Sequence, residues 1–329
     1  MKKLDVMYAT NSNYLNITLA SILSLIENSN LEKINLHIAT ENLSIKEHDR
    51  IREFLECFPN VEVAIYPIDN MHLEQYNIPG WHDTQAANAR LFFQDILGNK
   101  LDNIDQLLYL DADTIVVDDI TGLEKYQKGV YAARDASLPG YYQKYGLDRY
   151  FNSGVLYIDT KVWKHQKCQD KIKKFVKENS KIKLIYPDQD IFNMAINKDI
   201  HNLSIKYNLS PMIYDADKNF TTKYCKRRGM DVEDALASKE NPSILHSTGL
   251  LGIKPWMDNN VNIYNEPFRK YLKRIDPIYE LEELKSLKGF LAQNKEAFEM
   301  ILHMKEYIPD YLEDRAKQLT LRYNNTKTK

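Results

Sequence analysis

The sequence predicts an α/β protein built on a Rossmann-like sheet flanked by helices, with a helical extension at its C-terminal end. Between residues 4 and 120, short apolar runs alternate with amphipathic stretches, which is the pattern of successive βαβ units and favours a mostly parallel sheet. From Asp276 onward glycine becomes rare and leucines stand among alternating charges, as in helices that pack on a neighbouring core. We therefore predict a sheet domain over residues 1–265 and a helical extension over 266–329.

Strands and helices are predicted to alternate as far as the centre of the sheet. The first helix carries Leu15, Leu19 and Ile22 at helical spacing and is closed by polar residues 28–30. Apolar runs predict strands at residues 4–9, 34–39, 61–66, 107–110, 129–133 and 154–158. Helical patterns predict helices at residues 15–26, 45–58, 84–97 and, after a turn, 186–196.

The run at residues 107–110 stops abruptly at two carboxylates, Asp111 and Asp113. A short continuous apolar run is typical of a central strand, and the alternation of a strand would send both carboxylates to one side. Two carboxylates at one edge can share a hard divalent cation with a phosphate-bearing substrate. The same spacing recurs at residues 188–190 and 215–217, so a solvated turn at the strand end is the competing interpretation.

Composition and charge exclude several classes of protein. The 11 glycines form neither a dinucleotide-binding loop nor a P-loop, and a net charge of −2 gives no general case for nucleic acid. The three cysteines are widely spaced, which argues against a disulfide framework. We expect a cytoplasmic protein because no apolar run approaches the length of a membrane span. A basic cluster at residues 223–228 is either a solvated loop or a contact for phosphates or acidic lipids.

A third metal ligand is predicted near the end of the sheet domain. Ile244 and Leu245 form a short apolar lead to His246, and Lys254 follows after two glycines that permit close approach of the backbone. Histidine together with carboxylates suits manganese as well as magnesium. A structural histidine followed by a simple turn is the alternative.

Six segments occur in the order found in one enzyme family. They are residues 9–14 (Ala-Thr-Asn-Ser-Asn-Tyr), 89–91 (Ala-Arg-Leu), 109–113 (Tyr-Leu-Asp-Ala-Asp), 151–155 (Phe-Asn-Ser-Gly-Val), 188–190 (Asp-Gln-Asp) and 246–256. With them the chain resembles the retaining glycosyltransferases of family 8, which move hexoses from UDP-sugars on a GT-A fold. The resemblance covers residues 1–265, implies a GT-A type mixed sheet, and leaves the helical extension unexplained.

The resemblance also implies roles for individual residues. The residues implied to hold a divalent metal, manganese or alternatively magnesium, are Asp111, Asp113 and His246. Those implied to bind the UDP part of the donor are Ala9, Thr10, Asn11, Asn13, Tyr14, Ala112, Gly249 and Lys254. Those implied to act on the sugar are Arg90, Asn152, Asp188 and Gln189. The family usually separates this glycine and lysine by two residues, whereas four residues separate Gly249 from Lys254. Either the loop bulges here or Gly252 takes over part of the role of Gly249.

Simpler explanations exist for three of these residues. Asp188 can cap the helix that begins after Pro187, Asn152 can be a turn residue, and Arg90 can pair with Asp95 or Asp83. These alternatives assign the side chains to local structure instead of to a sugar.

The predicted function is metal-dependent retaining transfer of a hexose, galactose favoured over glucose, from a UDP-sugar to a saccharide, glycoprotein or glycolipid acceptor. We expect no nucleic-acid partner. We expect the C-terminal helices to pack on the core of the sheet domain, and contact with the inner face of the membrane or with a glycosylation complex is the alternative role for them. One alternative is a sugar-nucleotide-binding subunit without turnover. Another is a phosphohydrolase of the haloacid dehalogenase type, which is disfavoured because three predicted βα units precede Asp111. The choice between a covalent and a front-face mechanism stays open.

Overall fold

The computed structural model describes residues 2–68, 78, 85–180, 182, 184–214, 216–248, 254–256 and 265–279 of the chain. The described strands are β1 (Lys3–Asn11), β2 (Lys33–Glu41), β3 (Val61–Pro67), β4 (Gln106–Leu110), β5 (Thr114–Val116), β6 (Val130–Arg134), β7 (Phe151–Asp159), β8 (Ile200–Asn202) and β9 (Ile244–His246). The described α-helices are α1 (Leu15–Asn28), α2 (Ile45–Glu56), α3 (Phe93–Leu97), α4 (Pro139–Gln143), α5 (Thr160–His165), α6 (Cys168–Glu178), α7 (Pro187–Ile196), α8 (Pro211–Tyr214), α9 (Lys218–Arg228), α10 (Val232–Glu240) and α11 (Asn265–Ile275).

The main sheet has seven strands in the order β3-β2-β1-β4-β7-β6-β8. Strands β3, β2, β1 and β4 are parallel to one another, whereas β7 pairs antiparallel with both β4 and β6. The mixed, helix-flanked sheet that the resemblance implies is therefore confirmed. Met7 pairs with Tyr109 in the parallel ladder of β1 and β4, so the carboxyl ends of these strands lie at the same edge.

Strand β1 shows why the central strands appear in the sequence as continuous apolar runs. Val6 and Tyr8 pack into the apolar cluster that contains α1 residues such as Leu19, whereas Met7 packs on the other face, in the cluster that contains Leu91. Because successive side chains point to opposite faces and helices cover both faces, the inner positions from Val6 to Ala9 are all apolar. Asp5 is the buried exception, and its carboxylate lies 2.9 Å from His37 Nε2.

The single helix predicted over residues 84–97 is wrong in detail. A 3-10 helix, Ala86–Leu91, is followed by the short helix α3, and Phe92 between them has φ −120° and ψ 20°. The side chain of Arg90 donates from Nε to the carbonyl oxygen of Ala87 at 2.9 Å. This bond occupies a backbone carbonyl within the 3-10 helix and fixes the direction in which the Arg90 side chain leaves it.

Helix α11 packs on helix α1. Phe268, Tyr271 and Leu272 share an apolar cluster with α1 residues, and the hydroxyl of Tyr271 accepts a hydrogen bond from Asn28 Nδ2 at 2.7 Å. Residues 280–329, which make up most of the predicted helical extension, lie outside the described residues, so the predicted domain division stays a prediction. Among the helices that the structure describes, none is long and apolar enough to cross a membrane.

The three cysteines are free, which agrees with the sequence analysis. Cys57 is exposed, whereas Cys168 and Cys225 are buried. Burial raises the pKa of Cys168 to about 12 and that of Cys225 to about 11. Since the thiolate is the reactive form, the two buried thiols are apolar core groups rather than nucleophiles.

Candidate functional site

The two carboxylates predicted from the sequence lie in the turn that connects β4 to β5. The backbone N–H of Asp111 donates to the carbonyl oxygen of Gly154 at 2.8 Å, and the Thr114 hydroxyl donates to the carbonyl oxygen of Asp111 at 2.8 Å. Strand alternation was expected to place both carboxylates on one side. They do converge, but through this turn, because the chain leaves the main sheet at Leu110 and enters a second sheet at Thr114.

His246 is brought to the carboxylates by the pairing of β5 with β9. These strands form a two-stranded antiparallel sheet in which Thr114 pairs with His246. His246 Nε2 lies 3.2 Å from Asp113 Oδ1 and 3.6 Å from Asp111 Oδ2. One ligand atom from each of the three residues lies within 4.8 Å of the others, so the structure brings together the set predicted from the sequence.

Gly154 lines this cluster from β7. A Cβ atom at this position would lie 2.5 Å from Asp111 Oδ2 and would overlap Cε1 of His246. Only glycine therefore lets the strand approach the cluster so closely.

Arg90 binds the carboxylate of Asp111 through two contacts. Its guanidinium makes a fork with the carboxylate, with Nη2 2.6 Å from Asp111 Oδ1 and Nη1 3.0 Å from Asp111 Oδ2. The same guanidinium places Nε 3.2 Å from Asp188 Oδ2 and donates from Nη1 to Ser153 Oγ at 3.0 Å. Arg90 thus links the carboxylate turn to the start of α7.

Of the two alternative partners considered for Arg90, Asp95 is engaged by other residues. Asp95 forms an ion pair with Lys173 at 2.7 Å and accepts a hydrogen bond from Gln169 at 2.8 Å. Asp83 lies outside the described residues. The side chain of Arg90 is only 7% exposed, so its two carboxylate partners neutralise a charge that would be costly to bury alone.

The first turn of α7 presents Asp188 and Gln189 to Ser153. Gln189 Oε1 accepts from the backbone N–H of Ser153 at 3.1 Å, and Asp188 Oδ2 accepts from its hydroxyl at 3.2 Å. The residue at the N-cap of α7 is Tyr186, and it makes no side-chain cap, so the capping role considered for Asp188 is absent. Asp188 instead pairs with Arg90.

Asp190 anchors the start of α7 from beneath. Its buried carboxylate accepts hydrogen bonds from the hydroxyls of Tyr141 and Tyr150 and from the backbone N–H groups of Ile185 and Tyr186. These bonds fix the turn before α7 and therefore the direction in which Asp188 projects.

Lys254 reaches the cluster from a short described segment, residues 254–256. Its Nζ lies 2.5 Å from Asp113 Oδ2 and donates to the carbonyl oxygen of Ser247 at 2.8 Å. The predicted phosphate contact at Gly249, and its alternative Gly252, lie outside the described residues. Lys254 thus places a positive charge directly beside one of the candidate metal ligands.

The two carboxylates differ in their tendency to ionise. Burial raises the pKa of Asp111 despite the neighbouring guanidinium, and the carboxylates of Asp113 and Asp188 raise it further. Burial acts in the same direction on Asp113, but the charges of Lys254 and His246 outweigh it and hold the pKa of Asp113 below its usual range. Three carboxylates that repel one another form a site to which a divalent cation would bring compensating charge.

The residues predicted to surround a uridine lie at the carboxyl end of β1, close to the carboxylate turn. They are Ala9, Thr10, Asn11, Asn13 and Tyr14. The Thr10 side chain is buried and accepts a hydrogen bond from Thr18 Oγ1 at 2.8 Å, so it belongs to the core. Asn11 Oδ1 accepts from the backbone N–H of Tyr14 at 3.1 Å, and the Tyr14 ring meets Trp256 edge-on at 5.8 Å. Ala112, in the carboxylate turn, packs in the same apolar cluster as Tyr14 and Trp256.

Three residues of the site were not predicted from the sequence. Ser153 lies inside a recognised segment without an assigned role, whereas Asp135 and Asn208 have no signal in the sequence. Asn208 contacts His246 at 2.8 Å and Asn152 at 2.9 Å, although 38 and 56 residues separate them in the chain. Asn152 lies within β7 rather than in a turn, and its predicted contact with the sugar stays a prediction.

Removing the Arg90 charge is expected to destabilise the fold. In Arg90→Leu, Asp111 and Asp188 lose their shared partner, and breaking such a buried pair costs about 3–5 kcal/mol. The free energy of unfolding, measured by urea denaturation with chelator, should fall by this amount and recover partly in manganese. The matched control, Arg52→Leu, removes an exposed pair with Asp49 and should change it by less than about 1 kcal/mol. Equal effects of the two variants would contradict this account of Arg90.

Comparison with known proteins agrees with this geometry. The family model described as "Glycosyl transferase family 8" matches residues 5–260. General stress protein A of Bacillus subtilis is 24% identical over 83% of this chain and 95% of its own length. A lipopolysaccharide 1,2-glucosyltransferase of Escherichia coli is 28% identical over 92% of this chain and 87% of its own length.

A solved structure shares the fold. The galactosyltransferase LgtC, in complex with donor and acceptor sugar analogues, superposes with a TM-score of 0.64 at 22% identity. The match covers 82% of this chain and 96% of that one. The GT-A type of sheet that the resemblance implies is thereby confirmed.

Proposed function

Because the chain belongs to glycosyl transferase family 8, we propose that it transfers a hexose from a UDP-sugar to a saccharide or glycoconjugate acceptor, with a divalent cation and with retention of the anomeric configuration. The observation that carries the proposal is the convergence of Asp111, Asp113 and His246 at the carboxyl edge of the sheet. A diphosphate-bearing donor needs such a cation here, since no glycine-rich phosphate loop occurs in the sequence.

The residues present fit a manganese or magnesium ion. Two carboxylate oxygens and one imidazole nitrogen form a donor set that suits either metal, and the three atoms are close enough to share one ion. Such an ion would offset the negative charge that develops on the departing diphosphate. Arg90 holds Asp111 in a fixed direction by its two-point contact, so one ligand is preorganised before any cation binds.

Lys254 is proposed to stabilise the leaving group. It contacts Asp113 Oδ2, whereas His246 lies beside Asp113 Oδ1. Its ammonium lies beside the carboxylate and carries the positive charge that a diphosphate requires. A fixed positive charge near the departing oxygen stabilises the transition state more than the ground state, because the negative charge grows during bond breaking.

The sugar is proposed to lie against Asp188 and Gln189, with Arg90 and Asn152 nearby. Asp188 pairs with Arg90, and Gln189 Oε1 is engaged by the backbone N–H of Ser153. A carboxylate neutralised by a guanidinium is a weak nucleophile, and an amide is weaker still. These contacts favour front-face attack by the acceptor over a covalent intermediate, with both side chains stabilising positive charge on the sugar.

The uridine is proposed to occupy the carboxyl end of β1. Asn11, Asn13 and the backbone of Ala9 and Thr10 would offer polar contacts, and the ring of Tyr14 a flat face for the base. The identity of the hexose belongs to the same proposal. LgtC is named a galactosyltransferase, whereas the Escherichia coli relative is named a glucosyltransferase, so both donors enter the test.

The function is tested by UDP release from a panel of UDP-hexoses, with saccharide acceptors, in manganese or in chelator. The native chain is compared with Asp111→Ala/Asp113→Ala, and with the matched control Asp102→Ala/Asp105→Ala. The control removes two exposed carboxylates that pair with Lys164 and Lys161. We expect release from one donor that requires both manganese and the first pair of carboxylates. Metal-independent release, or release of inorganic phosphate alone, would contradict the proposal.

A further inference from the structure

A chain of side-chain amides connects His246 to strand β7. His246 Nδ1 lies 2.8 Å from Asn208 Oδ1, and Asn208 Nδ2 lies 2.9 Å from Asn152 Oδ1. All three side chains are buried, with His246 4% exposed, Asn208 7% and Asn152 8%. This series of hydrogen bonds begins at Nδ1 of His246, the ring nitrogen that faces away from Asp111 and Asp113.

The direction of each hydrogen bond follows from groups that can act in only one way. The backbone N–H of Gly154 can only donate, and it lies 3.0 Å from Asn152 Oδ1, which fixes that atom as the oxygen. The nitrogen of Asn152 then faces Asp135 Oδ2 at 3.2 Å, which accepts. Both contacts give the Asn152 amide the same orientation.

The orientation of Asn208 follows from that of Asn152. Since Asn152 Oδ1 can only accept, Asn208 must present its nitrogen to it and its oxygen to the imidazole. An amide oxygen has no hydrogen to give, so Nδ1 of His246 must carry the hydrogen of this bond.

The carboxylates on the other side of the ring favour the opposite arrangement. Asp113 Oδ1 and Asp111 Oδ2 lie 3.2 Å and 3.6 Å from Nε2, and without a cation they would attract a hydrogen to that nitrogen. A hydrogen on Nε2 would block ligation of a metal there. An acceptor on Nδ1 is therefore needed to keep the neutral ring in the form whose Nε2 lone pair faces the carboxylates.

We propose that Asn208, oriented by Asn152, is a positioning residue that holds the hydrogen of His246 on Nδ1 and reserves Nε2 for a divalent cation. The backbone supports this role because Leu209 forms a bridge with Leu245, and the N–H of His246 donates to the carbonyl oxygen of Leu209 at 3.0 Å. Asn208 is thus fixed beside β9. The proposal rests on the metal centre of the proposed function and assigns a role to a residue that no motif or spacing pattern in the sequence singles out.

The first test is the affinity of the full chain for Mn²⁺ alone, measured by electron paramagnetic resonance without donor or acceptor. We expect Asn208→Ala to weaken Mn²⁺ binding by about 10- to 100-fold, as loss of a hydrogen-bond partner of a metal-bound histidine generally does. Asn208→Asp keeps an acceptor for Nδ1 but loses the donor to Asn152 Oδ1, so it should restore part of the affinity. The matched control, Asn179→Ala, removes an amide that donates to the carbonyl oxygen of Phe175, in the preceding helix, and should leave affinity unchanged.

The second test determines directly which nitrogen of the His246 ring carries the hydrogen. Nitrogen-15 spectra of the native chain with Mg²⁺, in which His246 is identified by the signal lost in His246→Gln, should show hydrogen on Nδ1. Hydrogen on Nε2 instead would overturn the proposal even if Asn208→Ala does not fold. A folded Asn208→Ala with native Mn²⁺ affinity would overturn it as well. Mn²⁺ binding without hexose transfer would overturn the proposed function alone, so the two failures are distinguishable.

Discussion

Replacing Gly154 by alanine is expected to abolish metal binding while leaving the fold intact. The added Cβ would lie 2.5 Å from Asp111 Oδ2 and would overlap His246 Cε1, so two of the three candidate ligands must move. The collision involves side-chain atoms rather than backbone, which allows strand β7 to keep its ladder. Loss of a hydrogen-bond partner around a ligand costs about 10- to 100-fold in metal affinity, and displacing two ligands should cost more.

The measurement is Mn²⁺ affinity together with kcat for hexose transfer, on protein whose melting temperature has been checked. Gly140→Ala is the matched control because a Cβ at Gly140 meets no atom of the described residues within 4 Å. We expect the control to behave as the native chain. Full activity of a folded Gly154→Ala variant would mean that His246 and Asp111 need not approach each other as they do here.

Replacing Lys254 by methionine is expected to lower kcat by about 100- to 1,000-fold, the usual loss when one group that stabilises developing charge is removed. The aliphatic stem is kept, whereas the ammonium that lies 2.5 Å from Asp113 Oδ2 is lost. Mn²⁺ affinity should not fall, because removing a positive charge beside Asp113 does not weaken its attraction for a cation. A fall in kcat with retained Mn²⁺ affinity would show that Lys254 acts on the leaving group and does not contribute to metal binding.

Lys161→Met is the matched control for this variant. Lys161 forms an exposed ion pair with Asp105, at the other end of β4 from the carboxylate turn. The Lys161→Met variant should retain the native kcat. If Lys254→Met lowered Mn²⁺ affinity and left kcat at saturating manganese unchanged, Lys254 would serve the metal site and not the leaving group.

The strands and the carboxylate turn could be read from the sequence because each rests on neighbouring residues. A strand covered on both faces requires consecutive apolar residues, and β1 and β4 fulfil this requirement. The end of the run at Asp111 marks the edge of the sheet in the same local way. The structure of residues 84–97 was predicted wrongly as a single helix. The 3-10 helix at Ala86–Leu91 carries Arg90, whose partners are distant in the sequence, so no local pattern indicates it.

The sequence by itself determined the positions of strands β1 to β4, the position of the carboxylates after a buried strand, and the candidate ligand His246. Only the tertiary structure decided how these groups meet. The pairing of β5 with β9 sets His246 against the carboxylates, and the fork of Arg90 ties Asp111 to Asp188. The physical reason is the distance along the chain over which each signal extends. Apolar periodicity reflects residues that are neighbours in the sequence. The amide of Asn208 reaches His246 only because separate backbone segments hydrogen-bond side by side, and this leaves no periodic trace in the sequence.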